Sequence, residues 1–158
     1  MKVRPEMKDI ERDMQAGRLS LDGFLGNDSR SLEAIINEDD STLKTLNTTA
    51  DAMGRMMRRI TRAGMEAQGE PVEYDGYQVE VMEYKGWIPC PFKDNRKFSK
   101  RITNVVNLAT GEGIQWTDVG LHLIKDHGFF QGHGSPYRLD PIKLAAFLRM
   151  EERPFEEE

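Results

Sequence analysis

The residues best suited to bind a metal in this chain are its three histidines and its single cysteine. His122, His127 and His133 fall within twelve residues, and Cys90 lies between two prolines. One thiolate and three imidazoles form a ligand set that zinc accepts in proteins. On an ideal helix, however, residues five apart are separated by about 140°, so His122 and His127 do not share a face. We therefore treat a zinc site built from these four residues as an alternative hypothesis.

The segment from Gly128 to Arg138 carries the groups best suited to hold an anion. Glycines let backbone amides approach a ligand, hydroxyls offer hydrogen bonds, and arginine presents a planar fork to a carboxylate or phosphate. A helix connection of this length is also more often functional than a short one. The P-loop and dinucleotide-binding patterns are both missing. The predicted ligand-binding residues are Gly132, His133, Gly134, Ser135, Tyr137 and Arg138. The alternative is that the glycines, Pro136 and Arg138 only shape the turn.

No local sequence motif indicates nucleophilic catalysis. Cys90 beside two prolines is more typical of a small buried apolar residue than of a reactive thiol. Ser135 lacks the flanking glycines of a nucleophile elbow. We therefore predict an enzyme only under the metal-dependent alternative.

Two basic stretches stand out in an acidic chain. The net charge of −5 argues against general binding to a phosphate backbone, which needs a basic field. Both stretches are explained without a ligand if they form solvent-exposed helix and loop surfaces. Binding of nucleic acid through them is a second alternative hypothesis for the function. The stretches contain Arg55, Arg58, Arg59 and Arg62, then Lys93, Arg96, Lys97, Lys100 and Arg101.

Composition predicts a protein of a reducing, aqueous compartment. Cys90 is the one cysteine, so an intrachain disulfide is excluded. The first residues carry charge where a signal peptide has an apolar run, and no segment approaches the roughly 20 apolar residues of a membrane span. We expect a cytoplasmic location and no membrane partner.

The first 69 residues favour helices. Apolar or small residues recur at alternating steps of three and four, which predicts one long helix over about 41–67. Its wide apolar face indicates packing on neighbouring helices or on a second copy of the chain, so we expect a homo-oligomer. The recurring positions are Leu43, Leu46, Ala50, Met53, Met57, Ile60 and Gly64.

From Glu70 the period changes to two, which predicts an antiparallel sheet of four to five strands built from hairpins. Asp75-Gly76 predicts a two-residue turn that pairs Tyr74 with Tyr77. Lys85-Gly86 is a second candidate turn, and 93–101 is expected to be a basic loop. A further hairpin is predicted between 102–108 and 113–116.

Two short helices are predicted after the sheet. Thr117 and Asp140 are N-cap candidates, which start helices at about 118–126 and 141–150. Gly128 is expected to end the first of them in a left-handed conformation. Residues 151–158 form an acidic tail that we expect to be disordered.

The chain is therefore expected to be an α+β protein with a helical region at 1–69 and a sheet with two helices at 70–150. Our preferred hypothesis is a binding or regulatory protein, oligomeric through its helices, that holds an anionic ligand or partner with the Gly128–Arg138 loop. The alternatives are a metal-dependent enzyme and a nucleic-acid-binding protein.

Overall fold

The computed structural model describes residues 5–15, 17 and 23–152. Its fold is α+β, as the sequence predicts, with one antiparallel sheet in the order β1-β2-β3-β4. Residues 153–158 lie outside the described residues, so most of the predicted 151–158 tail is not tested; Glu151 and Glu152 belong to a 3-10 turn. The elements are α1 (Pro5–Asp13), α2 (Leu32–Thr45), α3 (Ala50–Glu66), β1 (Val72–Tyr74), β2 (Tyr77–Pro89), β3 (Lys97–Asn107), β4 (Gly113–Thr117), α4 (Asp118–His127), α5 (Pro141–Phe147) and a 3-10 turn (Met150–Glu152).

The first hairpin forms at Asp75-Gly76 in the predicted register. Tyr74 pairs with Tyr77, and Val72 pairs with Val79. Asp75 and Gly76 both take positive φ values, 50° and 85°, which a type I′ turn requires.

The second candidate turn, Lys85-Gly86, is wrong. β2 continues through these residues to Pro89, and its register with β3 shifts between Tyr84 and Trp87. Gly86 has a φ of 110° and absorbs the irregularity as a bulge. The predicted basic loop is correspondingly shorter, because β3 already begins at Lys97.

The long helix predicted over 41–67 is also wrong, because the chain breaks there into α2 and α3. Asn47 takes a φ of 57°, and the Thr49 side chain accepts the Ala52 N–H and starts α3 as its N-cap. Leu46, an expected member of the apolar row, is exposed. The apolar spacing continues across this break, so the sequence pattern did not indicate the N-cap at Thr49.

α3 packs on the sheet and on α4, so its apolar face is covered within the chain. A Cβ on Gly64 would lie 2.5 Å from Val81 Cγ2, and one on Gly54 would lie 2.3 Å from Lys125 Cβ. These approaches are closer than two carbon atoms allow, so both contacts need glycine. Homo-oligomerisation stays a prediction.

The C-terminal helices begin where their caps predict. Thr117 accepts the Gly120 N–H, and Asp140 accepts the Lys143 N–H. Gly128 is left-handed with a φ of 63° and ends α4. α5 ends at Phe147, three residues earlier than predicted.

The buried apolar side chains form two clusters, and α4 contributes to both. The first joins α3, the inner face of the sheet and α5, and includes Leu121 and Ile124. The second joins α1, α2, the end of β2 and Phe129, and includes Val119 and Leu123. None of the described helices has the length and apolar character to cross a bilayer.

Candidate metal centre

A tight loop after β2 supplies two candidate ligands, Cys90 and Asp94. The Cys90 N–H donates to the Arg96 carbonyl at 2.8 Å, and the Lys93 N–H donates to the Cys90 carbonyl at 3.1 Å. Lys93 and Asn95 take positive φ values of 60° and 66°, which reverse the chain within a few residues. Asp94 Oδ1 accepts the Arg96 N–H at 3.0 Å, and this leaves Oδ2 to face α4.

The last turns of α4 supply the other two, His122 and His127. Their five-residue spacing separates them on an ideal helix, but their ring centroids lie 5.1 Å apart. The expectation that they diverge is wrong, since the Nε2 atoms of both rings reach Asp94 Oδ2. The Phe129 N–H donates to the Leu123 carbonyl, six residues back, at 2.9 Å. His127 is the final residue of α4, and this bond together with the left-handed Gly128 forms the Schellman ending that follows it.

The four side chains converge on one point. One ligand atom from each of Cys90, Asp94, His122 and His127 lies within 4.8 Å of all the others. Asp94 Oδ2 is 2.8 Å from His122 Nε2 and 2.9 Å from His127 Nε2. Cys90 Sγ is 3.6 Å from His127 Nε2.

These separations approach those of a tetrahedral zinc site. Zinc bonds of about 2.3 Å to sulfur and about 2.0 Å to nitrogen place two such ligands about 3.5 Å apart. The distance from Cys90 to His127 matches this value. The two Asp94 contacts are shorter, and the carboxylate has to move outward by about half an ångström to admit an ion of this size.

His122 is held by a carboxylate at each ring nitrogen. Its Nε2 faces Asp94, and its Nδ1 lies 2.7 Å from Asp126 Oδ2. A neutral imidazole has one N–H, so it can donate to only one of these acceptors. A metal ion on Nε2 resolves the conflict, since Nδ1 then carries the proton and donates it to Asp126. Histidine ligands in metalloproteins commonly have such a carboxylate behind them.

Aromatic rings fix the orientation of both imidazoles. Phe92 stacks on His127 with centroids 4.1 Å apart and planes 6° apart. Phe98 lies 4.6 Å from the His122 ring. Cys90 and His122 are each 4% exposed, so most of the site is shielded from water.

The electrostatics favour a cation at this point. Burial raises the pKa of Asp94, but hydrogen bonds from His127, the Arg96 N–H and His122 outweigh it and hold that pKa well below its usual range. Burial, together with the neighbouring Asp94 charge, raises the pKa of the Cys90 thiol to about 12. A divalent cation with one carboxylate, one thiolate and two neutral imidazoles has no net charge, which lowers the cost of burying the group.

The structure brings together three of the four predicted metal ligands, Cys90, His122 and His127. Metal binding itself stays a prediction. His133 lies elsewhere: its N–H donates to Asp28 Oδ2 at 3.1 Å, and its ring is largely exposed. Asp94 takes the fourth position. In the sequence Asp94 lies four residues after Cys90 and three after Pro91, on a loop that cannot continue as a strand, but this position alone does not distinguish it as a ligand.

The predicted anion-binding loop has most of its polar groups bonded within the chain. Arg138 donates to both Asp39 carboxylate oxygens, at 3.0 and 3.1 Å, and to the Gln131 carbonyl at 2.6 Å. The Ser135 hydroxyl donates to Gln131 Oε1 at 2.7 Å. The fork that we expected to meet an anion is thus already engaged with a carboxylate.

The loop glycines serve a close approach between two backbone segments. A Cβ on Gly132 would lie 2.1 Å from the Leu25 carbonyl oxygen, and one on Gly134 would lie 2.4 Å from Asn27 Oδ1. Tyr137 differs from these residues, because its side chain is partly exposed beside an apolar cavity of about 310 Å³. Both glycines are therefore needed for contacts with Leu25 and Asn27, a role that differs from shaping the turn itself.

Comparison of the chain with models of protein families, with curated proteins and with solved structures gave no match.

Proposed function

We propose that the protein binds one zinc-class divalent cation through Cys90, Asp94, His122 and His127. The observation that carries this proposal is His122, a buried imidazole with a carboxylate at both ring nitrogens. A metal ion explains why both ring nitrogens face a carboxylate: Nε2 binds the ion beside Asp94, and Nδ1 donates its proton to Asp126.

The ligand types favour zinc over harder cations. One sulfur, two nitrogens and one carboxylate oxygen suit a borderline-soft ion, whereas magnesium and calcium prefer oxygen ligands alone. Four protein ligands also complete a tetrahedral shell, which is typical of a structural site and leaves no position for a reacting water. We therefore propose a structural centre and not a catalytic one.

The role of this centre is to fasten the end of the sheet to α4. Cys90 and Asp94 belong to the loop that joins β2 to β3, and both histidines belong to the helix after the sheet. Cys90 is a member of the second apolar cluster. Holding it against α4 stabilises that cluster.

A thiolate ligand needs a reduced cysteine, so the proposed function goes with a reducing compartment such as the cytoplasm. The expected homo-oligomer is likewise a proposal. Native mass spectrometry of the purified chain reports the number of subunits and the bound metal in one measurement.

The first test is metal content measured by elemental analysis after purification. We expect about one zinc per chain in the wild type. Cys90→Ser and His127→Gln each remove a ligand, so both lose most of the metal. His133→Gln is the matched control, because it removes a histidine outside the cluster and leaves the metal in place.

Cobalt substitution gives a second readout. A thiolate bound to Co²⁺ produces a near-ultraviolet charge-transfer band, which we expect in the wild type and in His133→Gln but not in Cys90→Ser. A folded wild type that takes up neither zinc nor cobalt contradicts the proposal. Equal uptake by Cys90→Ser and the wild type contradicts it as well.

A further inference from the structure

The hairpin arm that carries the metal loop, residues 84–101, is strongly basic within an acidic chain. The one acidic residue of this arm is Asp94, a proposed metal ligand. Its two most exposed aromatic residues are Tyr84, which is 53% exposed to solvent, and Trp87, which is 63% exposed. Its cationic residues are Lys85, Lys93, Arg96, Lys97, Lys100 and Arg101.

One face of this arm combines an exposed indole with cations. Trp87 lies opposite Ser99 in the ladder, and Lys97 Nζ is 5.5 Å from the centroid of the Trp87 ring. Arg101 lies on the same face of β3, because alternate residues of a strand share a face. Lys97 makes no ion pair with any residue in the described part of the chain.

A groove of about 240 Å³ lies between α3, α4 and the start of β3. Arg58 and Arg62 enter it from α3, Arg96 and Arg101 enter from the arm, and Lys125 enters from α4. The two basic stretches that are separate in the sequence therefore meet in space.

Carboxylates in and beside the groove neutralise part of this charge. Arg101 is 2.7 Å from Asp118 and 2.8 Å from Glu83, and Arg96 is 3.7 Å from Asp126. Arg62 is exposed and pairs with no acidic side chain among the residues that the structure describes. Lys125 in turn lies 3.4 Å from Asp126 and 3.9 Å from Asp51. Arg62 and Lys97 are the cations of this surface for which the described residues offer no acidic partner, and they give it a positive excess.

We propose that this arm and groove bind single-stranded nucleic acid. The cations suit a phosphate backbone, and the exposed Trp87 offers a flat surface on which an unpaired base stacks. A duplex hides the faces of its bases, so the indole favours a single strand. Because the remainder of the chain is acidic, binding is confined to this face.

His122 lines one wall of the groove. The cations and the indole that we propose to contact the nucleic acid are, however, not metal ligands. It depends on the proposed metal centre only for the position of the arm, which that centre holds against α4. Failure of one proposal is therefore distinguishable from failure of the other, provided that metal content is measured on every sample.

The probes are fluorescein-labelled oligouridine and oligothymidine of about 20 nucleotides, longer than a typical site of about 4–16. Fluorescence anisotropy with the full, metal-loaded chain measures affinity at several salt concentrations. We expect both strands to bind, with affinity that falls as salt rises. A preference for either strand shows whether the 2′-hydroxyl contributes.

Trp87 provides an internal reporter. The chain has two tryptophans, and Trp116 is 2% exposed with its Nε1 donating to Thr61 Oγ1 at 2.8 Å. Quenching of the indole emission by an unlabelled strand therefore reports on Trp87. We expect Trp87→Ala to abolish the quenching and to weaken binding by about tenfold or more. Metal content stays unchanged in this variant.

The cations are tested with Arg62→Gln and Lys97→Gln. Each loses about one phosphate contact, so the slope of log affinity against log salt becomes shallower by about 0.7. Lys44→Gln on α2 and Ile142→Ala on α5 are the matched controls, since they change an exposed cation and an exposed apolar residue outside this surface. Both controls retain wild-type binding.

Three outcomes overturn the proposal. The first is that neither strand binds at low salt to folded, metal-loaded protein. The second is that a duplex of equal length, or a polyglutamate peptide, binds as tightly as the single strands. The third is that Trp87→Ala binds as well as the wild type.

Discussion

At the residue scale, the metal centre depends on how His122 is oriented. Asp94 and Asp126 approach opposite sides of one ring, at 2.8 and 2.7 Å. Phe98 packs against the same ring. The plane of the imidazole is therefore held before an ion arrives, which reduces the reorganisation that binding requires.

Asp126 is expected to act as a positioning residue for this ring. Asp126→Ala removes the acceptor at Nδ1, so we expect zinc affinity to fall by about 10- to 100-fold. Asp126→Asn keeps an acceptor oxygen and restores most of the loss. Competition with a chromophoric chelator measures the affinity, and circular dichroism checks that the variants fold.

A purely structural role for Asp126 gives a different pattern. The alanine and asparagine variants then lose thermal stability without a change in zinc affinity. Equal zinc affinity in Asp126→Ala and the wild type contradicts the positioning role.

The sequence identifies Cys90, His122 and His127 by residue type, but it does not identify Asp94. The chain has 27 acidic residues, and a carboxylate becomes a candidate ligand only once the loop after β2 has folded. His133 was misassigned for a related reason. Its neighbour in space is Asp28, about a hundred residues away in sequence, which no local pattern shows.

At the scale of elements, short sequence motifs correctly predicted the turns and helix ends that depend on neighbouring residues. The Asp75-Gly76 turn, the Thr117 and Asp140 caps and the Gly128 helix end all formed as expected. The break between α2 and α3 was missed because apolar spacing outweighed the Thr49 cap in the prediction. The bulge at Gly86 was missed because a glycine after a lysine fits a turn and a bulge equally well.

The crossing of α3 and α4 depends on Gly54. In an open helix, alanine is more favourable than glycine by about 1 kcal/mol. Here a Cβ would lie 2.3 Å from Lys125 Cβ and 2.7 Å from Lys125 Cα, so the helices must separate. We expect Gly54→Ala to lower the free energy of unfolding by about 1–3 kcal/mol, measured by urea denaturation.

The control for this variant is Ala63→Gly on the same helix, which reports the propensity effect alone. Stabilisation by Gly54→Ala contradicts the close crossing.

At the scale of the molecule, two apolar clusters share one helix. Leu121 and Ile124 belong to the first cluster, and Val119 and Leu123 belong to the second. Of the four proposed ligands, Cys90 belongs to the second cluster. We therefore expect loss of the ion to act first on the packing of α1, α2 and the arm.

Chelation of the metal is expected to lower the melting temperature by about 10 °C. A ligand present at about a thousandfold above its Kd adds about 4 kcal/mol to stability. In a chain of this size, 1 kcal/mol corresponds to about 2–4 °C. Differential scanning calorimetry with and without a strong chelator measures the shift. Cys90→Ser is the control, because its melting temperature does not respond to the chelator.

An unchanged melting temperature on chelation of the wild type contradicts a stabilising role for the ion. Restoration of the original value by added zinc, in contrast, distinguishes metal loss from irreversible damage.

The order of the ligands along the chain has a consequence for synthesis. Cys90 and Asp94 leave the ribosome first, and both histidines follow only after β3 and β4. The proposed coordination shell therefore cannot close until the chain has been translated through α4. We accordingly expect metal capture to follow translation of α4, and a nascent chain that stalls before His122 to lack a complete site.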